Sequence, residues 1–323
     1  MSKVIFKNAI HLASVAFADR SKRYKRNQQW KILYHTLIHP QFASRWFSYL
    51  ESDDFIEVVT YRPQMYIKPF RVYMSIKWTK EQKAKVIRNT YWFILNKGGI
   101  FKQVIRNKHM KFVEFPLTGH ITGLLTLGYD DMFRKEGELV ISFECKELGG
   151  IIVSAAFSFE KVQAGCWICR IGCVQGNRLL SISELKETQK MLNGLRPKVL
   201  IVFAVQEFAR QLGFSALYGA GDAIQAYRRK HAIHIQHFHA IAFDYDALWS
   251  EVGGKPGSEG WYKLPLTLVR KEMNEIKTHK RALYRRRYQQ LDDLSLKIAD
   301  FVKGIHEIKQ ASPVSYIGDE TKL

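Results

Sequence analysis

A chain of 323 residues with 46% hydrophobic content buries a large core, as one large domain or two. The net charge of +20 points to a polyanion partner, and the absence of any run of 18 apolar residues excludes a helical span. Three of the four cysteines, Cys166, Cys169 and Cys173, lie within eight residues, which excludes a secreted disulfide framework and indicates a reducing compartment.

The charge is uneven. Residues 1–120 carry 22 Lys/Arg against 7 Asp/Glu, so the amino-terminal part is the expected surface for nucleic acid or an anionic membrane. Residues 3–18 suit an amphipathic helix, with no small-residue cleavage site to mark a signal peptide. The run Arg20, Lys22, Arg23, Lys25 and Arg26 follows. Such a run is a solvated face, or beside an amphipathic helix a membrane-surface anchor. Residues 28–38 and 41–50 read as helices split at Pro40, and residues 81–95 as another. Between them Arg62, Pro63, Lys68, Pro69 and Arg71 form a basic, loop-like segment.

The period then changes. Residues 111–117, 123–129, 138–145, 151–159 and 166–174 read as strands, and their short glycine or polar separators predict an antiparallel meander. The last strand leads into a loop of Gln175, Gly176, Asn177 and Arg178. Ser181 and Glu184 fit a capping box, Gly194 stops that helix, and Pro197 opens a second, apolar all round over residues 199–212. Residues 214–218 are the next strand, so the unit is a crossover between parallel strands. Ligands of such sheets sit beyond a strand's carboxyl end, near a helix N-terminus. That makes the 175–178 loop the foremost site candidate, with Gly176 expected where the backbone turns sharply or nears a phosphate. A plain strand-to-helix turn is the alternative. Residues 222–230 then read as a short helix, 237–243 as a strand, 253–260 as a loop, and 271–309 as one long helix. Its apolar residues, Tyr284, Tyr288, Leu291, Leu294, Ile298, Phe301, Ile305 and Ile308, step by three and four as a packing seam. Residues 311–323 read as a tail.

Four constellations invite chemistry. The cysteines read as structural thiols rather than metal ligands, with Cys169 and Cys173 expected on one strand face. His231, His234, His237 and His239 lack the carboxylate of a metal motif and read as ordinary histidines. Asp244 and Asp246 could do acid–base work or cap the next helix, and capping is favoured. Arg285, Arg286 and Arg287 face different ways on a helix, as a basic collar that is solvated or pairs with phosphate.

Several spaced motifs carry a resemblance. They are IGCVQG from Ile171 to Gly176, GLRPK from Gly194 to Lys198, Asp244 to Asp246 with Trp249, Gly253 and Gly254, and Lys280-Arg281 with YRRRY from Tyr284 to Tyr288. With Arg62-Pro63 and Lys68-Pro69, this set resembles the VirK/YbjX family of Gram-negative bacteria, over residues 40–300. The family names no chemistry; the resemblance implies virulence, display of a surface protein and antimicrobial-peptide resistance, with envelope-biogenesis proteins or the membrane as partners. A second, fold-level resemblance is to GNAT acyltransferases. It implies that Gln175, Gly176, Asn177 and Arg178 hold an acyl-CoA and that Tyr227 is the acid; Asp244 and Asp246 remain catalytic candidates through their own spacing alone.

The expectation is a mixed α/β protein: a basic, mostly helical region over residues 1–110, a GNAT-like mixed sheet over 111–265, a long helix over 266–310 and a tail. Its expected place is the cytoplasm, peripheral to the inner membrane. The alternative function is non-enzymatic nucleic-acid binding through the basic half.

Overall fold

The computed structural model describes Ser14 and residues 21–118, 120–226 and 243–307. The expected helix over 3–18 (apart from Ser14), Arg20, Tyr227, the four clustered histidines, nearly all of the 237–243 strand and the tail lie outside the described residues.

The amino-terminal part is helical, as its periodicity and punctuation dictate. Ser21 accepts the Tyr24 N–H and starts α1 (Lys22–Ile38), so the helix expected from residue 28 begins at Lys22 and takes in the basic run after Arg20. Proline at the first position starts α2 (Pro40–Leu50). A short α3 (Ile56–Tyr61) leads into a 3-10 helix over Pro63–Phe70, the segment read as a basic loop. A Thr79/Gln82 capping box opens α4 (Lys80–Lys97), and α5 (Gly99–Lys102) is a single turn.

The sheet follows, with eight strands among the described residues: β1 (Met110–Pro116), β2 (Thr122–Gly128), β3 (Leu139–Cys145), β4 (Gly150–Gln163), β5 (Cys166–Gly176), β6 (Ala216–Ala220), β7 (Lys255–Pro256) and β8 (Trp261–Leu264), in the order β1-β2-β3-β4-β5-β6-β8-β7. The first five form the expected antiparallel meander, and β5 and β6 are the parallel pair. The crossover between them holds α6 (Ile182–Met191), with the Ser181/Glu184 capping box in place, and α7 (Pro197–Gln211). Residues 199–209 of α7 are buried on every side, because the sheet lies under one face and the last helix over another. After α8 (Tyr245–Glu251) and the β7–β8 hairpin, α9 (Thr278–Glu307) lays Leu291, Leu294, Ile298, Val302 and Ile305 against α7 and β1. Buried residues of the first helices, the sheet and α9 form one continuous core.

Four further local readings change. Strand β8 closes the far side of β6, yet WYKL is too short before Pro265 to carry a period. The last helix starts at Thr278, not Lys271, and the Tyr288 hydroxyl is bonded to the Lys271 backbone beside it. The described part of 222–230 contains a single 3-10 turn, Asp222–Ile224. Cys169 and Cys173 do not share a face: the register shifts at Gly172, so Cys169 pairs with Phe159 and Cys173 with Ala156, which face opposite ways on β4.

Candidate functional sites

An enclosed polar cluster lies between the 3-10 helix and the entry to β3. The prolines of Pro63–Phe70 fix a tight turn that sends Lys68 inward. Opposite it, Glu138 is held by its own N–H, which donates to Ser158 Oγ at 3.0 Å. Lys68 Nζ lies 2.5 Å from Glu138 Oε1, and the Tyr91 hydroxyl donates to Oε2 at 2.9 Å. Ser158 also bonds the Tyr73 hydroxyl, at 2.7 Å. Burial lowers the Lys68 pKa and Glu138 opposes that shift; burial and the Glu138 charge raise Tyr73 and Tyr91 well above the ordinary phenol value, so both hydroxyls stay protonated.

Toward the surface the same cluster opens into a cavity of about 150 Å³, lined among others by Arg62, Gln64, Lys68, Tyr91, Tyr129 and Asp131. The Arg62 guanidinium lies over the Tyr129 ring, 3.9 Å from its centre, and the Tyr129 hydroxyl donates to Asp131 Oδ1 at 3.1 Å. Arg62 Nε and Nη2 are both buried and meet no acceptor among the described residues.

The loop singled out by sequence lies at the carboxyl end of β5. Gln175 and Gly176 still pair with Ser154 and Val153 of β4. Asn177 ties the loop down: its N–H donates to the Ile152 carbonyl and its Nδ2 to the Ile151 carbonyl, both at 2.9 Å, while its Oδ1 accepts the Leu179 N–H. Gly176 does not adopt a left-handed backbone, and a Cβ there would make only ordinary contacts, 3.6 Å from Lys198 Cε. Arg178 is exposed. Pairing between β5 and β6 stops at Ile171 and Gly219, one residue before β6 ends, and β5 continues to Gly176 paired only with β4. Lys198, in the first turn of α7, places its ammonium over the Phe243 ring, and burial with the nearby Arg196 charge pulls its pKa down to about 8.

The two aspartates stand close to this end in structural roles. Asp244 Oδ1 accepts the Ala247 N–H at 2.7 Å and caps α8, as favoured. Asp246 Oδ1 accepts the Asp222 N–H at 2.9 Å, and the Asp222 carboxylate accepts the Tyr245 and Asp246 N–H groups in return. Three carboxylates thus bracket the turn after β6 to the start of α8.

The basic residues fall into two places. On α1, Lys22, Arg23 and Arg26 are exposed and Lys25 is half-buried. The inner face, Gln28, Ile32, Leu33 and Thr36, is buried, and Gln28 bonds Arg71. The outer face turns apolar further along: Trp30 is 67% exposed, Tyr34 60%, Leu37 62% and Ile38 50%. On α9, Arg285 and Arg286 are exposed, whereas Arg287 donates through Nε to the Asn193 carbonyl at 3.0 Å and stacks on Tyr284. Arg287 thereby joins α9 to the α6–α7 turn.

No group of His, Cys, Asp and Glu among the described residues is arranged to hold a metal ion. Cys145, Cys169 and Cys173 are buried free thiols, and burial pushes the last two well above the ordinary thiol value. Among the described residues no helix is long and apolar enough to cross a membrane.

Comparison with known proteins places these features in a lineage. A family model described as "Protein of unknown function (DUF535)" matches residues 21–300. The chain is 27% identical to the "Uncharacterized protein YbjX" of Escherichia coli K12 over 296 residues, which is 87% of this chain and 85% of that protein. Two proteins of Haemophilus influenzae Rd, each described as "Uncharacterized protein", are 33% identical over 131 and 129 residues, 40% of this chain and 42% of theirs. No solved structure matches.

Proposed function

The chain belongs to the DUF535 family, and from that premise we propose that it is a peripheral envelope factor of the VirK kind. It works at the cytoplasmic face of the inner membrane, holds anionic lipid through α1, and serves surface-protein display and antimicrobial-peptide resistance.

One observation carries this reading: the outer face of α1. Trp30, Tyr34, Leu37 and Ile38 recur at the spacing of one helical face and are exposed, and Lys22, Arg23, Arg26 and Lys31 flank them. Each basic side chain near an anionic surface is worth about 1 kcal/mol, and an aromatic and aliphatic face can enter the headgroup boundary. The buried inner face fixes α1 to the body, so this surface is presented rigidly. Nucleic acid, the alternative polyanion, would use the basic half and leave Leu37 and Ile38 without a role. The test is fractionation of bacteria expressing the chain. It is expected with membranes at low salt and in the soluble fraction after a wash at about 1 M salt, where exposed charge is screened. A chain that stays soluble at low salt refutes the reading.

A second reading concerns chemistry. The continuation of β5 past the end of β6 favours acyl transfer at that end, with an acyl-CoA on Gln175, Gly176, Asn177 and Arg178 and with Tyr227 as the acid, while Asp244 and Asp246 brace the turn beside it. Calorimetric titration with acetyl-CoA is expected to give saturable heat that Arg178→Ala weakens; no heat from the wild type ends this reading.

A further inference from the structure

N–H groups of a cation that are shut away from water need a partner, and the two cations of the polar cavity, buried Lys68 and half-buried Arg62, differ in this. Lys68 has Glu138. Arg62 has the Tyr129 ring beneath it, but that contact uses the flat face of the guanidinium and leaves its N–H edge unengaged. Nε and Nη2 stand on one edge of the group, where two N–H bonds run parallel at the spacing of a carboxylate's two oxygens. Both atoms are buried and neither meets an acceptor among the described residues. Leaving such donors unpaired is costly, and a fold keeps that arrangement where a ligand completes it.

The cavity sets the size and charge of that ligand. Its volume is about 150 Å³, and a space of that order takes up a molecule of about six heavy atoms. Lys68 and Glu138 cancel, and Asp131 lines the wall opposite in sign to Arg62. With Glu138 already paired to Lys68, only the Arg62 edge is left to meet a ligand charge, which matches a monoanion; a second negative charge would have no cation to meet it and would lie near Asp131. The Gln64 amide and the Tyr91 and Tyr129 hydroxyls add neutral polar groups for the rest of the molecule.

We propose that this cavity is a binding site for a small monocarboxylate, held bidentately by the Nε and Nη2 edge of Arg62 over Tyr129. The site is independent of α1 and of the β5–β6 end, and it gives the family fold a small-molecule ligand besides any membrane surface.

The test titrates the purified full chain with lactate or pyruvate, and with inorganic phosphate and chloride at matched ionic strength, by calorimetry and thermal midpoint. The monocarboxylates are expected to give saturable heat and a raised midpoint, with phosphate and chloride giving neither. Arg62→Lys keeps the charge but loses the paired edge, and Arg62→Gln loses both; each is expected to weaken binding about ten- to hundredfold. If neither variant folds, a magnetisation-transfer contact between bound lactate and the Tyr129 ring in the wild-type chain replaces them. Saturation by phosphate as tight as by lactate, no saturation by any monocarboxylate up to about 100 mM, unweakened binding in a folded Arg62→Lys chain, or lactate bound away from Tyr129 would each overturn the proposal.

Discussion

Lys68 and Glu138 form an ion pair inside the protein: Nζ lies 2.5 Å from Oε1, the lysine side chain is 10% exposed and the glutamate fully enclosed. Tyr91 completes the carboxylate's shell through Oε2. Removing one partner strands the other charge in a low dielectric, at a cost of about 3–5 kcal/mol, whereas replacing both by apolar groups of similar size avoids that cost. Lys68→Met and Glu138→Leu are therefore each expected to lower unfolding free energy by that amount in urea, and the double variant to recover most of it. Additive losses would mean that the two side chains act separately.

The two glycines of the IGCVQG motif are expected to behave oppositely. A Cβ on Gly172 would lie 1.8 Å from the Glu136 carbonyl oxygen, so the backbone before β3 crosses β5 where no side chain fits. Gly172→Ala is expected to cost about 3 kcal/mol or more, through forced backbone movement. At Gly176 the nearest neighbour is Lys198 Cε at 3.6 Å, and Gly176→Ala is expected to change stability by no more than about 0.5 kcal/mol. Denaturation midpoints of the two variants decide this.

Lys198 gives a pH signature. Its folded pKa is about 8 against an ordinary value of 10.5, through burial first and the Arg196 charge second. Between those values the unfolded lysine holds a proton that the folded one has lost, so its contribution to stability rises with pH across that window. The thermal midpoint of Lys198→Met minus that of the wild type is expected to be highest below pH 8 and to fall as pH rises toward 10.5. A difference that stays flat would place Lys198 in water.

Much of the fold is written in local punctuation. Pro40, Thr79 with Gln82, Ser181 with Glu184, and Pro197 mark helix starts without reference to anything distant, and each start is observed. The antiparallel strands are apolar runs set off by glycine or polar turns, and the apolar circumference of α7 signals that it is enclosed. What failed was short or depended on pairing. Strand β8 has four residues, and the flip of Cys173 follows from a bulge that only the Glu136 crossing explains. The cavity was half visible. Arg62 and Lys68 stand out in sequence only as charges of a basic, loop-like segment, because their partners Tyr129 and Glu138 lie far along the chain. The usable signal was Lys68 itself, a lone charge within the otherwise uncharged run MYIKPF, which needs a buried counter-charge if that run packs inward. The outer face of α1 was legible as charge but not as an exposed apolar face, since which side packs inward is set by α2 and Arg71.

The central claim is that α1 holds an anionic lipid surface, and co-sedimentation with vesicles tests it most directly. The purified chain is expected to sediment with phosphatidylglycerol-containing vesicles and not with phosphatidylcholine vesicles. Trp30→Ala with Leu37→Ala should weaken binding about tenfold or more, by removing apolar area that enters the headgroup layer. Lys22→Gln, Arg23→Gln and Arg26→Gln together should abolish most of the salt dependence. Equal binding to both vesicle types, or unchanged binding by the folded Trp30→Ala/Leu37→Ala chain, would contradict the account.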